Sequence, residues 1–429
     1  MAGTNKLLII QAAALGARFA QARGWPRSRL AFQSCEGIFP ALTCPVQATF
    51  RTGRLPADHG VSANGFFDRT IRRTFFWEQS AALVAGTRWW TAGRAAGRRV
   101  GLVCWQQSLG EAADFILSPK PVHKHHGGLI QDCYTQPPPL YADLCTAIGR
   151  PFQLAHYWGP LANRRSSTWI AEALVQLMAV RAGPDLLCGY LPHLDYDLQR
   201  YGPEHPAAAA AADVLDELLA RLLAAARSAG YDVLVFGDYA METVSGPPVY
   251  PNRALRADGL FEVRSVRGRA YPDFFAGRAL AVTDHQVALV YCADPAAAAA
   301  ARDVLSQLDG VGQVRETDPG LRARGGELML VAAPGRWFAY PWWTAPGEAP
   351  DYARHIDIHN KPGYDPAELF WGWPPPSVSR NPGRVRGTHG RGGPGLEVAW
   401  AATFEPAAAP ENLVALAALA KRHWEGGTP

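Results

Sequence analysis

Short, unbroken apolar runs separated by longer stretches of helical periodicity leave this chain few folds to adopt. Residues 7–10 (LLII), 100–104 (VGLVC), 185–191 (DLLCGYL) and 231–236 (YDVLVF) lack the polar alternation of a half-exposed strand. Runs of that kind belong to strands covered on both faces. Between them the period changes. Leucines at 215, 218, 219, 222 and 223 mark one face of a helix over 207–228, and Gly230 stops it. A second helix over 295–308 has Asp294 as N-cap and proline at its first position, and a strand at 311–314 follows. The alanine tracts at 207–212 and 296–301 are good helix formers within that pattern. Strands alternating with helices predict an α/β protein, a three-layer α/β/α sandwich around a mostly parallel sheet. One large domain is expected over residues 1–429, with loop-rich insertions around 65–165 and 335–395 and a terminal surface helix over 405–423. The stretch VTDHQVALVY at 282–291 reads as one strand with Asp284 and His285 inside it.

Composition narrows the partners. A formal charge of +4 over 429 residues gives no general attraction for a polyanion. The arginine-rich runs at 94–99 and 380–391 read as solvated faces, so no nucleic-acid polymer is expected. No run reaches the roughly 20 apolar residues of a membrane span. Residues 6–17 (KLLIIQAAALGA), followed by Ala20-Gln21-Ala22, imitate a signal peptide, but Gln11 interrupts the apolar stretch. Seven cysteines (35, 44, 104, 133, 145, 188 and 292) are scattered without a CxxC pair. That pattern suits reduced thiols and a cytoplasmic chain.

The chemistry concentrates at residues 39–68, FPALTCPVQATFRTGRLPADHGVSANGFFD. Thr43 sits in a Cys/Pro-flanked turn, followed by Thr52-Gly53, Pro56, His59-Gly60 and Asn64-Gly65. This segment resembles the nucleophile motif of the type I phosphodiesterase/nucleotide pyrophosphatase family, a branch of the alkaline phosphatase superfamily. The resemblance implies that Thr43 attacks phosphorus and Asn64 holds the transferring oxygens. It also places residues 7–10 as the first core strand, a second argument against a cleaved leader. Cys44, beside the threonine, reads as a packed turn residue.

The family's metal ligands are only partly present. In YLPHLDYDLQRYGP (190–203) Asp195 fills a ligand position, and Gln199 stands where the family has histidine. In FGDYAME (236–242) Asp238 is present and Tyr239 replaces a second histidine. Leu15-Gly16 takes the place of an Asp-Gly after the first strand. For the late histidine two positions compete, His359 in DIHNKPGYDP and His389 in GTHG. The surviving set of Asp195, Asp238 and one late histidine suggests a divalent metal, zinc first, with at most one tightly bound ion. His193, Asp197, Tyr239, Asp284, His285 and Asp357 are nearby polar groups that could belong to a rearranged site, each with an ordinary structural role as the alternative. The His123-Lys124-His125-His126 run reads as an exposed loop.

The resemblance implies a metal-dependent phosphohydrolase acting on a small-molecule phosphate ester or anhydride. The lost ligands keep a second function open, a pseudoenzyme that retains the fold and pocket for binding. Sulfatase chemistry is disfavoured, because Cys44-Pro45 does not lead into the x-Pro-x-Arg pattern it needs.

Overall fold

The computed structural model describes residues 5–126, 128–356 and 361–426. Its main strands, in chain order, begin with β1 (Lys6–Ala12), β2 (Gln33–Cys35), β3 (Val100–Val103), β4 (Phe115–Pro119), β5 (Cys133–Gln136), β6 (Leu186–Leu191) and β7 (Tyr231–Gly237). They continue with β8 (Ala279–Asp284), β9 (Val287–Cys292), β10 (Val311–Glu316), β11 (Leu328–Ala332) and β12 (Val398–Ala402). Eight of these form one sheet in the order β2-β12-β7-β1-β6-β3-β4-β5. The strands from β7 across to β4 run parallel, and the outer strands join antiparallel. This is the mostly parallel α/β sandwich that the apolar runs predict. β1 lies in the middle, paired along its length with both β6 and β7.

Every residue of β6 is buried, as are Leu7 to Ala12 of β1, so both faces of the sheet must be covered. The helices that do this are α1 (Thr43–Thr52), α2 (Arg165–Ala179), α3 (His193–Tyr201) and α4 (Pro206–Ala229), with α5 (Pro295–Ser306) and α6 (Leu413–Trp424) later in the chain. Helix α2 packs on α4, and α1 packs on α6. The last helix therefore departs from expectation. Leu413, Leu416, Leu419 and Trp424 are all buried, because α6 closes over the helix that carries Thr43. Helix α5 starts as the sequence indicates, with the Asp294 side chain accepting from the Ala297 N–H at 2.7 Å.

Two departures matter for the site. Besides the strand expected at 100–104, which is β3, the loop-rich stretch around 65–165 adds β4 and β5 to the sheet. Residues 282–291 are also not one strand. Asp284 pairs with Val287 across a tight turn, so β8 and β9 form a hairpin. That hairpin belongs to a separate four-stranded antiparallel sheet, β8-β9-β11-β10, with its own apolar core around Leu289, Leu330 and Phe338. No Gly or Asn marks the turn. His285 itself takes the left-handed conformation there, at φ 56°.

Candidate active site

Ligands of open α/β sheets gather beyond the carboxyl ends of the parallel strands. Here the ends of β1, β6 and β7 bring Gln11, Tyr190 and Asp238 to one place. Thr43 arrives as the first residue of α1, whose preceding residue Leu42 is extended. Its hydroxyl donates to Asp238 Oδ2 across 3.5 Å. The close approach of two chain segments fixes that carboxylate. A side chain at Gly237 would meet the Leu15 carbonyl at 2.0 Å, so only glycine lets the end of β7 lie against the turn after β1. The Ala14 N–H then donates to Asp238 Oδ1 at 2.8 Å, and the Gln11 side chain reaches Oδ2 at 3.2 Å. Burial pushes the Asp238 carboxyl up to about 8 in spite of these donors.

Asn64 is pinned on both sides. Its Oδ1 accepts from the Cys44 N–H at 2.9 Å, which caps the first turn of α1. Its Nδ2 donates to Asp284 Oδ1 at 3.2 Å, and its backbone N–H donates to Asp284 Oδ2 at 2.7 Å. A second hydrogen on Nδ2 remains for a ligand. The site is thus built from both sheets, and the hairpin of the smaller one positions Asn64. Cys44 is buried, and burial drives its thiol far above the ordinary range, which fits a packed residue rather than a nucleophile.

Asp284 also receives His285 Nδ1 at 2.9 Å. That bond fixes the ring and leaves His285 Nε2 buried and, among the described residues, without a hydrogen-bond partner. The His285 ring lies 4.0 Å from that of His389, and His389 stacks flat on Tyr239 at 3.5 Å. His389 is itself laced into the site, with Nδ1 against the Ala41 carbonyl at 3.0 Å and its own carbonyl accepting from Gln286 N–H at 2.9 Å. Burial, with the charge of His285, holds the His389 imidazole well below the usual histidine range.

Thr43, Asn64, Asp195 and His389 therefore line one cavity, and Asp238 lies directly behind Thr43. His359 and Asp357 lie outside the described residues. The remaining polar candidates divide. Asp284, His285 and Tyr239 enter the site. His193 instead faces the Ala211 carbonyl of α4 at 3.1 Å, and Asp197 pairs with Arg200 at 3.3 Å. The histidine run at 123–126 is exposed, with His123 reaching the cavity rim.

The expected metal set does not assemble from the described residues, among which His359 is not included. Among the described residues no three His, Cys, Asp or Glu side chains come together as a metal site. The reason lies in the replacements. Tyr239 Oη donates to Asp195 Oδ1 at 3.0 Å, and Gln199 Nε2 donates to Oδ2 of the same carboxylate. Protein donors thus occupy the oxygens a cation would take, and Asp238 is similarly surrounded by N–H and O–H groups. Burial raises the Asp195 carboxyl to about 6. The donor chemistry of the described residues does not fit a binuclear centre.

The cavity has a volume of about 130 Å³. Its walls are aromatic, with Trp77, Tyr157, Trp158, Tyr190, Tyr196 and Tyr364 among them, and none of its described lining residues is Lys or Arg. Trp77, Tyr364, Trp158 and Tyr196 run edge to face at centroid distances of 5.8 to 6.5 Å. Trp77 and Trp158 stand in no sequence motif that marks them as cavity residues, whereas Trp371 and Trp373 are exposed and outside the cavity lining.

A family model described as type I phosphodiesterase / nucleotide pyrophosphatase matches residues 28–365. No curated protein matches the chain by sequence. Among solved structures, phosphonoacetate hydrolase from Sinorhizobium meliloti 1021 in complex with phosphonoformate is similar with a TM-score of 0.65 at 15% identity, over 98% of this chain and 96% of that one. Human ectonucleotide pyrophosphatase/phosphodiesterase 5 is similar with a TM-score of 0.57 at 13% identity, over 93% and 87%. The murine form, as an inactive variant in complex with AMP, gives 0.57 at 14% identity, over 98% and 95%. At these identities the structural likeness speaks for the fold.

Proposed function

Since this chain belongs to the type I phosphodiesterase/nucleotide pyrophosphatase family, we propose that it hydrolyses a small phosphate ester or anhydride through a covalent bond to Thr43. The observation that carries this is the Thr43 hydroxyl at the start of α1, with Asp238 behind it and Asn64 fixed beside it. A helix N-terminus favours a phosphoryl group. As the threonine oxygen attacks, its proton passes to Asp238, whose raised pKa suits a proton acceptor near neutrality. The free Asn64 N–H stabilises charge on the transferring oxygens. Water then releases the phosphoryl group from Thr43. A divalent metal is the family's usual source of charge stabilisation. At most one tightly held ion per chain is proposed, and no step above runs through it. Phosphonoformate, phosphonoacetate and AMP in the similar structures support a small phosphorus oxyanion as ligand. The seven free cysteines suit a cytoplasmic setting, and no described helix is long and apolar enough to cross a membrane.

The test is hydrolysis of a nitrophenyl phosphodiester and monoester by the full chain, with elemental analysis of the same sample. A binding role without turnover is favoured by one specific feature, the filling of Asp195 by Tyr239 and Gln199. Tight binding of a phosphate ester with no turnover at any added ion would establish that role instead.

A further inference from the structure

The mechanism above leaves one buried pair unused. His285, which lines the cavity, is 5% exposed, its Nδ1 is tied to Asp284 at 2.9 Å, and its Nε2 has no hydrogen-bond partner among the described residues. A buried polar atom without a partner costs stability. His285 also holds a left-handed backbone, with its carbonyl anchored by the Phe338 N–H at 2.7 Å. Strain and an unmet polar atom at the same residue point to function. The groups facing the ring are Asp284, His389, Tyr364 and, through space, Asp195 and Asp365.

We propose that His285, oriented by Asp284, is the proton donor and acceptor on the leaving-group side of the site, opposite Asp238. The inference rests on the threonine mechanism proposed above. In the first step the Thr43 Oγ–P bond forms and the bond from phosphorus to the leaving oxygen breaks. Asp238 takes the threonine proton, and the imidazolium Nε2–H protonates the departing oxygen. In the second step water attacks phosphorus and the Thr43 Oγ–P bond breaks. Nε2 takes a proton from the water, and Asp238 returns its proton to Thr43. Both groups end as they began, and the net reaction is hydrolysis of one ester bond. A carboxylate that orients an imidazole by one nitrogen, leaving the other for the reacting atoms, is the arrangement of general acid–base catalysis. Asp284 is the positioning residue, because the same carboxylate that holds His285 also holds Asn64.

The experiment compares kcat/KM, which reports only the first chemical step if that step is irreversible, for two methyl aryl phosphodiesters of equal shape. One carries 4-nitrophenolate, which leaves without a proton, and the other 4-methoxyphenolate, which needs one. His285→Asn tolerates the left-handed backbone, and His285→Gln is the second variant. Thermal unfolding within a few degrees of the parent qualifies either. The expected result is a loss of about 100-fold or more on the methoxy ester and less than about tenfold on the nitro ester. Equal losses on both would overturn the role of His285 while leaving Thr43 chemistry standing. A parent that turns over neither ester, or a Thr43→Ala variant that turns over both, would remove the threonine mechanism and this inference with it.

Discussion

The two sides of the cavity have had different fates. On the nucleophile side the residues named by the motif are tied by hydrogen bonds to one another and to Asp284: Thr43 to Asp238, Cys44 N–H to Asn64, Asn64 to Asp284. On the other side lies Asp195, onto which Gln199 and Tyr239, standing where the family has imidazoles, both turn their donors. A carboxylate without a cation is costly to bury. Replacing metal ligands by neutral donors resolves that cost, and it changes which charges remain for chemistry. Attack can be preserved while stabilisation of the leaving group passes to other residues.

The largest test of this contrast is Thr43→Ala, which should remove detectable hydrolysis with the melting temperature little changed; full activity would break the comparison at its stronger side. Asn64→Ala should lower kcat by about 100- to 1000-fold. It should also cost about 1–3 kcal/mol in denaturant unfolding, because the Cys44 N–H loses its acceptor and Asp284 loses one of its donors. On the eroded side the sharpest experiment is a gain. Gln199→His with Tyr239→His should raise the metal content found by elemental analysis above the one ion at most expected for the parent. An unchanged stoichiometry would mean that the loss of Leu15's counterpart, not these two positions, decides metal binding.

Acid titration probes the nucleophile side from behind. His59, whose Nδ1 accepts from the Val61 N–H at 3.2 Å while Nε2 meets Thr49 Oγ1 at 3.0 Å, is buried. Burial lowers its pKa to about 3. Because the folded value lies below the unfolded one, His59 favours the folded state fully above about pH 6.5, and that contribution is lost as pH falls toward 3. Unfolding free energy measured by denaturant should fall across this window by at most about 1.4 kcal/mol per pH unit from this group, and His59→Gln should flatten the slope. The smallest effect belongs to Cys44→Ser, for which activity close to the parent is expected.

How much of this was legible in the sequence follows from what kind of interaction each feature depends on. The apolar runs of β1, β3, β6 and β7 are local patterns, and they announced a parallel sheet. The spacing from Thr43 to Asn64 is also local, as are the Asp195 and Asp238 turns that follow their strands. The Asp284–His285 turn was not visible, because a histidine at positive φ is held by Phe338 and Asn64 from distant segments rather than by a turn residue. The buried face of α6 was hidden for a similar reason: its apolar residues match a partner, α1, that lies more than 350 positions earlier. Asp195's hydrogen-bonded state needed Tyr239, 44 positions away, to be seen beside it.

The place of β1 at the centre of the sheet carries a consequence for how the protein is made. Leu7 leaves the ribosome well ahead of the residues it pairs with, Leu186 and Asp232. At about 5–20 residues per second, roughly 9 to 36 s pass before either partner strand has been synthesised. For that interval LLII is an unpaired, wholly apolar edge on a nascent chain. Changes that slow translation between residues 12 and 186, or that lengthen this stretch, should therefore lower the yield of soluble protein without touching any property of the molecule once it has folded.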